Sequence, residues 1–197
     1  MYTTQAILPG FSNPVMDSQQ AFRKILDAIS HPGLIVTFEN APEGPQALSS
    51  AATSVCLALV DFETPVWFDS KAHQTADFFK FHCGCPIAEL SKDAVFALVA
   101  DAAKLTDLEV FNLGSNDYPD RSSTVIIDVS GFSNQEGITL RGPGIEHTSQ
   151  LYVDGVNKGF WEQVQANHSL FPRGIDILLT SGNQLVALPR TTQIEVQ

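Results

Sequence analysis

Residues 175–179 (Ile-Asp-Ile-Leu-Leu) and 185–188 (Leu-Val-Ala-Leu) are apolar at nearly every position, and Gly182-Asn183 stands between them. Glycine and asparagine supply the positive φ that a tight hairpin turn needs, so the two runs predict a hairpin. A strand with one wet face alternates apolar and polar residues; strands that do not alternate are covered on both faces. This hairpin therefore belongs in the middle of a layered domain.

The rest of the chain supplies the layers. Asp17 followed by Gln20 resembles a capping box, and Ala21, Phe22, Ile25, Leu26 and Ile29 recur at helical spacing, ending at His31-Pro32-Gly33. Residues 34–38 read as a strand. Residues 50–60, small and apolar nearly all round, read as a central helix packed on several sides. Asp61 to Pro65 forms a turn into a strand at 66–68, and a helix follows over 74–81. Strands are expected at 94–99 and 124–129, with a short helical piece at 106–111 and a polar, flexible loop at 114–122 between them. Further strands fall at 137–141 and 149–153, and a helix at 157–167 carries Phe160, Trp161 and Val164 on one face. Interleaved helices and strands predict one α/β domain over residues 1–197, a three-layer αβα sandwich around a mixed sheet.

Composition narrows the functional classes. A net charge of -11 and a pI near 4.6 argue against nucleic acid or an anionic membrane as partner, since both require a basic footprint. The Met1 to Ala6 stretch shows no basic region leading into a long apolar run, and no segment approaches the roughly 20 apolar residues that cross a bilayer. Three cysteines without a framework spacing fit a reducing compartment. A soluble cytoplasmic protein is the expectation.

Candidate chemistry concentrates near the end of the chain. Arg190 with Thr191 and Thr192 sets a charged planar fork and two hydroxyls just after a strand, a combination suited to phosphate or carboxylate oxygens or to an acidic partner at an interface. Asp176 lies inside a buried strand, where a carboxylate requires a partner such as Arg173, Arg190 or backbone donors. Arg141 opens the glycine loop Arg141-Gly142-Pro143-Gly144-Ile145, which lacks both P-loop and dinucleotide spacing and reads first as a turn. His82, Cys83 and Cys85 offer three metal-ligand types without a second pair elsewhere, so no metal is expected. Asp61 and Glu63 read as turn residues, and His31 as a helix C-terminal partner. No serine sits in a nucleophile elbow.

The chain resembles the PhnH family of the bacterial carbon-phosphorus lyase system over nearly its whole length. The resemblance is carried by Ala21-Phe22-Arg23, Pro32-Gly33, Thr53-Ser54-Val55, Asp61 with Thr64-Pro65-Val66-Trp67, Phe81-His82, Gly142 to Ile145, Phe171-Pro172-Arg173-Gly174-Ile175-Asp176 and Pro189-Arg190-Thr191-Thr192. It implies a homodimer that resembles the large domain of pyridoxal-phosphate-dependent transferases without the cofactor; none of the six lysines has a Schiff-base context. It also implies a place beside PhnG, PhnI and PhnJ, with a functional link to PhnL. The reaction implied is displacement of adenine from ATP by methylphosphonate, giving alpha-D-ribose 1-methylphosphonate 5-triphosphate. Within it the chain is expected to be a scaffold or accessory subunit. The alternative is that it contributes anion-binding residues to a shared phosphonate or nucleotide site. Anion-binding or interface candidates are Arg190, Thr191, Thr192, Arg173, Asp176, Arg141 and Arg23, with no catalytic residue assigned.

Overall fold

A computed structural model describes residues 8–195; the Met1 to Ala6 stretch lies outside them. The central sheet has six strands in the order β1-β8-β7-β4-β3-β2: β1 (Val36–Thr37), β2 (Val66–Phe68), β3 (Phe96–Val99), β4 (Thr124–Asp128), β7 (Asp176–Ser181) and β8 (Gln184–Leu188). β2, β3, β4 and β7 run parallel, while β8 pairs antiparallel with both β7 and β1. The sheet is therefore mixed.

The predicted hairpin is present, with Ser181 opposite Gln184 across the Gly182-Asn183 turn and Gly182 at φ 56°. Both of its faces are buried. Leu178, Leu185 and Ala187 pack with Leu98 and Ile126 under three helices, α1 (Pro14–Ser30), α2 (Ser50–Leu59) and α3 (Ala76–Cys83). Ile177, Leu179, Val186 and Leu188 face the opposite layer with Val125 and Ile127. Continuous apolar strands and two covered faces are thus one observation seen at two scales.

The second outer layer differs from the expected sandwich. It holds α4 (Phe160–Ser169) beside a separate three-stranded antiparallel sheet, β6-β5-β9, made of β5 (Gly131–Arg141), β6 (Ser149–Asp154) and β9 (Gln193–Glu195). Ile138, Leu140, Leu151, Val153 and Ile194 form the underside of that sheet and close over the central one. β5 and β6 pair across a short connection, but β5 also pairs with β9, joining residues far apart in sequence such as Leu140 and Ile194, which local patterning does not reveal.

Two further expectations are corrected. α1 begins earlier than Asp17: Asn13 caps it by accepting from the Met16 N–H, and the Asn13 N–H donates in return to the Asp17 carboxylate at 2.8 Å. Pro14 fits at the first helical position, where no N–H is required. Residues 106–111 are not helical. Their backbone is met by an α4 side chain instead: Gln163 accepts from Leu108 N–H at 2.7 Å and donates to Thr106 C=O, while Asn157, ahead of α4, donates to the preceding Leu105 C=O. Leu108 and Phe111 are buried three residues apart, which imitates a helical period.

Candidate functional site

Arg190 follows β8 at the edge where the parallel strands begin, so it lies away from their carboxyl ends, where ligands of open α/β sheets bind. Its five guanidinium N–H donors are matched within the chain. Nε and one Nη2 hydrogen go to the two Asp176 carboxylate oxygens, at 3.2 and 2.6 Å. Nη1 donates to Pro119 C=O at 2.8 Å and to Pro172 C=O at 3.4 Å, and the remaining Nη2 hydrogen goes to Ser122 Oγ. The Arg190 backbone N–H also donates to Asp176 at 2.9 Å. With its side chain only 14% exposed, Arg190 ties the 114–122 loop, the turn before β7 and the end of β8 into one joint. That loop, expected to be flexible, is held at Pro119 and Ser122, and Arg121 lies over the Tyr118 ring at 4.1 Å.

The other sequence candidates are dispersed. Thr191 borders the same open basin as Asp176 and Arg190, of about 510 Å³, whose other walls include Ile29, Phe171, Pro172 and Pro189. Thr192 is buried and its hydroxyl has no partner among the described residues. Arg173 is half-buried, with a side chain that makes no hydrogen bond or ion pair among the described residues. Arg141 pairs with Glu195 across β5 and β9 at 2.9 Å, both half-exposed or more. Its glycine loop is a packing joint: Gly144 has φ 84°, and a Cβ there would stand 2.0 Å from Ser30 C=O. Arg23 lies elsewhere, on the rim of a cleft of about 340 Å³ between α1 and residues 38–40.

Several readings are settled locally. Asp61 accepts from the Glu63 N–H at 2.9 Å and from Thr64 Oγ1 at 3.2 Å, a turn network. His31 sits at the α1 C-cap with Nδ1 3.0 Å from Asp27 C=O. His82 contacts Leu8 C=O through Nε2 at 2.9 Å. Burial pushes the Cys83 thiol up to about 12, and the thiols of Cys56 and Cys85 are raised by the same cause, so all three stay neutral at ordinary pH.

Two features had no signal in sequence patterning. Asp128, at the carboxyl end of β4, accepts from Ser49 N–H at 2.6 Å and Thr180 Oγ1 at 2.8 Å, and burial raises its pKa against those two bonds and the nearby Lys71. The second is a wet apolar stripe on α1. Val15, Phe22, Leu26 and Ile29 are 78, 45, 48 and 39% exposed, and Ile29 leads into the basin where Phe171 is 61% exposed. The helical spacing holds, but Phe22, Leu26 and Ile29 of the expected stripe face solvent, and Ala21, Ile25 and Ala28 are the buried face.

The fold and site define an α/β domain whose arginine fork is spent internally and whose surface helix leaves large apolar side chains wet. The profile of the family described as "Bacterial phosphonate metabolism protein (PhnH)" matches residues 9–195, and the chain belongs to that family. It is 33% identical over 187 residues to the "Alpha-D-ribose 1-methylphosphonate 5-triphosphate synthase subunit PhnH" of Rhizobium meliloti (strain 1021), covering 94% of each chain. It is also 32% identical over 179 residues to the "Putative C-P lyase subunit protein HtxG" of Stutzerimonas stutzeri, covering 91% of this chain and 86% of that one.

Proposed function

We propose that this chain is a non-autonomous subunit of a bacterial assembly that forms alpha-D-ribose 1-methylphosphonate 5-triphosphate in phosphonate breakdown. In that reaction a phosphonate oxygen bonds to the ribose anomeric carbon of ATP as the bond to adenine breaks, and adenine leaves with a proton. Two relatives named as subunits of such systems, aligned over most of the chain, support the placement. The carrying observation is the α1 stripe with the adjoining Phe171 basin. Monomeric soluble proteins rarely leave contiguous apolar patches beyond a few hundred Å² in water. We assign this face to contact with a neighbouring subunit, and place there the second copy, or the PhnG, PhnI or PhnJ contact, that the family resemblance implies. The parallel strands under a helical layer are compatible with a likeness to the large domain of pyridoxal-phosphate-dependent transferases, and residues 1–197 are read as one domain. No helix among the described residues is long and apolar enough to cross a membrane; a cytoplasmic location belongs to this reading.

The test places one charge on the stripe in the co-expressed assembly. Phe22→Glu is expected to abolish co-purification with the neighbouring subunits while the isolated chain keeps its far-ultraviolet dichroism. Retained assembly with full turnover defeats the assignment of that face. The isolated chain is expected to show no turnover of ATP and methylphosphonate, because no nucleophile, base and cation set is gathered at one point among the described residues; turnover by the lone chain defeats the non-autonomous reading.

A second reading, direct supply of anion-binding groups to a shared site, is favoured by one observation. Arg23 and Lys24 border one cleft without an ion-pair partner among the described residues.

A further inference from the structure

The cleft beside α1 lies on the opposite side of that helix from the apolar stripe. Its charges separate into two groups. Asp17 is 8% exposed and already accepts from the Asn13 N–H, with the Asn40 amide 3.5 Å away. Arg23, Lys24, Asp27 and Glu39 also line the cleft, yet among the described residues none of their side chains has a hydrogen bond or an ion pair. Two cations and three carboxylates, Asp17 among them, thus surround one opening, and each cation stays more than the 4.0 Å salt-bridge distance from every carboxylate. Behind them stand Phe38, only 4% exposed, and the half-buried Phe11.

That arrangement discriminates by charge. A simple anion drawn to Arg23 and Lys24 meets Asp17, Asp27 and Glu39, and a simple cation drawn to those carboxylates meets Arg23 and Lys24, so each forfeits much of its Coulomb gain. A small molecule carrying both an ammonium and an oxyanion satisfies both pairs at once, and its short apolar body has the Phe38 wall to lie against. A volume of about 340 Å³ suits such a molecule.

We infer that this cleft is a binding site for a small zwitterion bearing an ammonium and an oxyanion, with Arg23 and Lys24 holding the oxyanion and Asp27 and Glu39 the ammonium. The oxyanion is a phosphonate or a carboxylate, and the test separates them. This site does not rest on the assembly reading above, because its binding is measured on the lone chain and its residues lie off the stripe.

The full chain is titrated with 2-aminoethylphosphonate, followed by amide chemical shifts. Methylphosphonate and ethylamine serve as single-charge controls, and β-alanine as the carboxylate counterpart. Saturable shifts are expected in α1 and residues 38–40, with affinity at least about tenfold above either single-charge control, since each charge-assisted hydrogen bond is worth about a factor of ten. Arg23→Gln and Glu39→Gln, both at exposed positions, are each expected to weaken binding about tenfold without changing the fold. Tighter binding of 2-aminoethylphosphonate than of β-alanine assigns the oxyanion to phosphonates, and equal binding assigns the site to zwitterions of either kind. No saturation by about 10 mM, equal affinity for methylphosphonate, or undiminished binding in both variants overturns the inference.

Discussion

Replacing Arg190 with alanine tests whether the fork that marks this sequence is spent on the fold. The substitution removes five side-chain donors at once and leaves the Asp176 carboxylate with the Arg190 backbone N–H, while Pro119 C=O, Pro172 C=O and Ser122 Oγ lose their guanidinium donor. Breaking a fully buried ion pair from one side costs about 3–5 kcal/mol, because the remaining charge is stranded. Here the Asp176 side chain is 34% exposed, so water recovers part of the loss, and about 2–3 kcal/mol is expected. For a chain of this size that lowers Tm by about 5–10 °C. Urea denaturation followed by tryptophan fluorescence reads the free energy directly, and the slope should be unchanged if the native state keeps its compactness. A double-mutant cycle with Asp176→Asn then isolates the pair: the second substitution should cost much less in the Arg190→Ala background than alone. An unchanged midpoint in Arg190→Ala, or fully additive effects, refutes the view that Arg190 is a structural joint and returns it to the list of ligand or interface groups. Loss of turnover in the assembly without loss of stability in the chain would lead to the same conclusion.

Asp128→Asn tests the buried carboxyl at the end of β4. Because burial raises its folded pKa, its favourable contribution is fully present below the unfolded value of about 3.9 and is lost as pH rises through the folded value. The variant should therefore lose that pH slope and be at least as stable as the parent at neutral pH; the Thr180 hydroxyl can turn to Ile127 C=O, 3.4 Å away, and accept from the new amide. A clear loss of stability at pH 7, read by urea midpoint, contradicts this. Gly144→Ala should cost at least about 2 kcal/mol, combining a left-handed backbone with a forced contact on Ser30 C=O, and a thermal midpoint equal to the parent's contradicts the packing-joint reading of the glycine loop.

What could be read from the chain alone followed the range of the interactions. The 175–188 hairpin was legible because its turn residues and apolar runs are local and agree with one another. The cap of α1 was misplaced because Asp17 and Asn13 are both capping types; Pro14 at the first helical position is the residue that decides between them. The 106–111 segment failed for the opposite reason: its period is apolar but its backbone partner, Gln163, lies more than fifty residues away. β9 joins the small sheet through equally distant pairing with β5. The site divided in the same way. A carboxylate in a strand and an arginine at a strand end each call for a partner, and Asp176 and Arg190 meet that need in one another, but nothing local marks Pro119, Pro172 and Ser122 as the acceptors of the rest of the fork.

α1 connects these results, because one helix presents three different environments. Its Ala21, Ile25 and Ala28 face anchors it to the central sheet, its Val15, Phe22, Leu26 and Ile29 face is wet and apolar, and Asp17, Gln20, Lys24 and Asp27 border the cleft. A seventeen-residue helix can separate these functions because its faces turn about 100° per residue and share few side chains. Arg23 marks the boundary, since it lies on the cleft rim about a quarter turn from Phe22. A neighbour docked on the stripe would therefore leave the cleft open to a ligand. Binding at one face could then be felt at the other through a rigid element that both contact, and the coupling would be reciprocal in free energy. In the reconstituted assembly, Phe22→Glu and Glu39→Gln separate the two faces: the first removes the neighbour and leaves zwitterion binding by the lone chain intact, while the second leaves assembly intact and weakens the ligand.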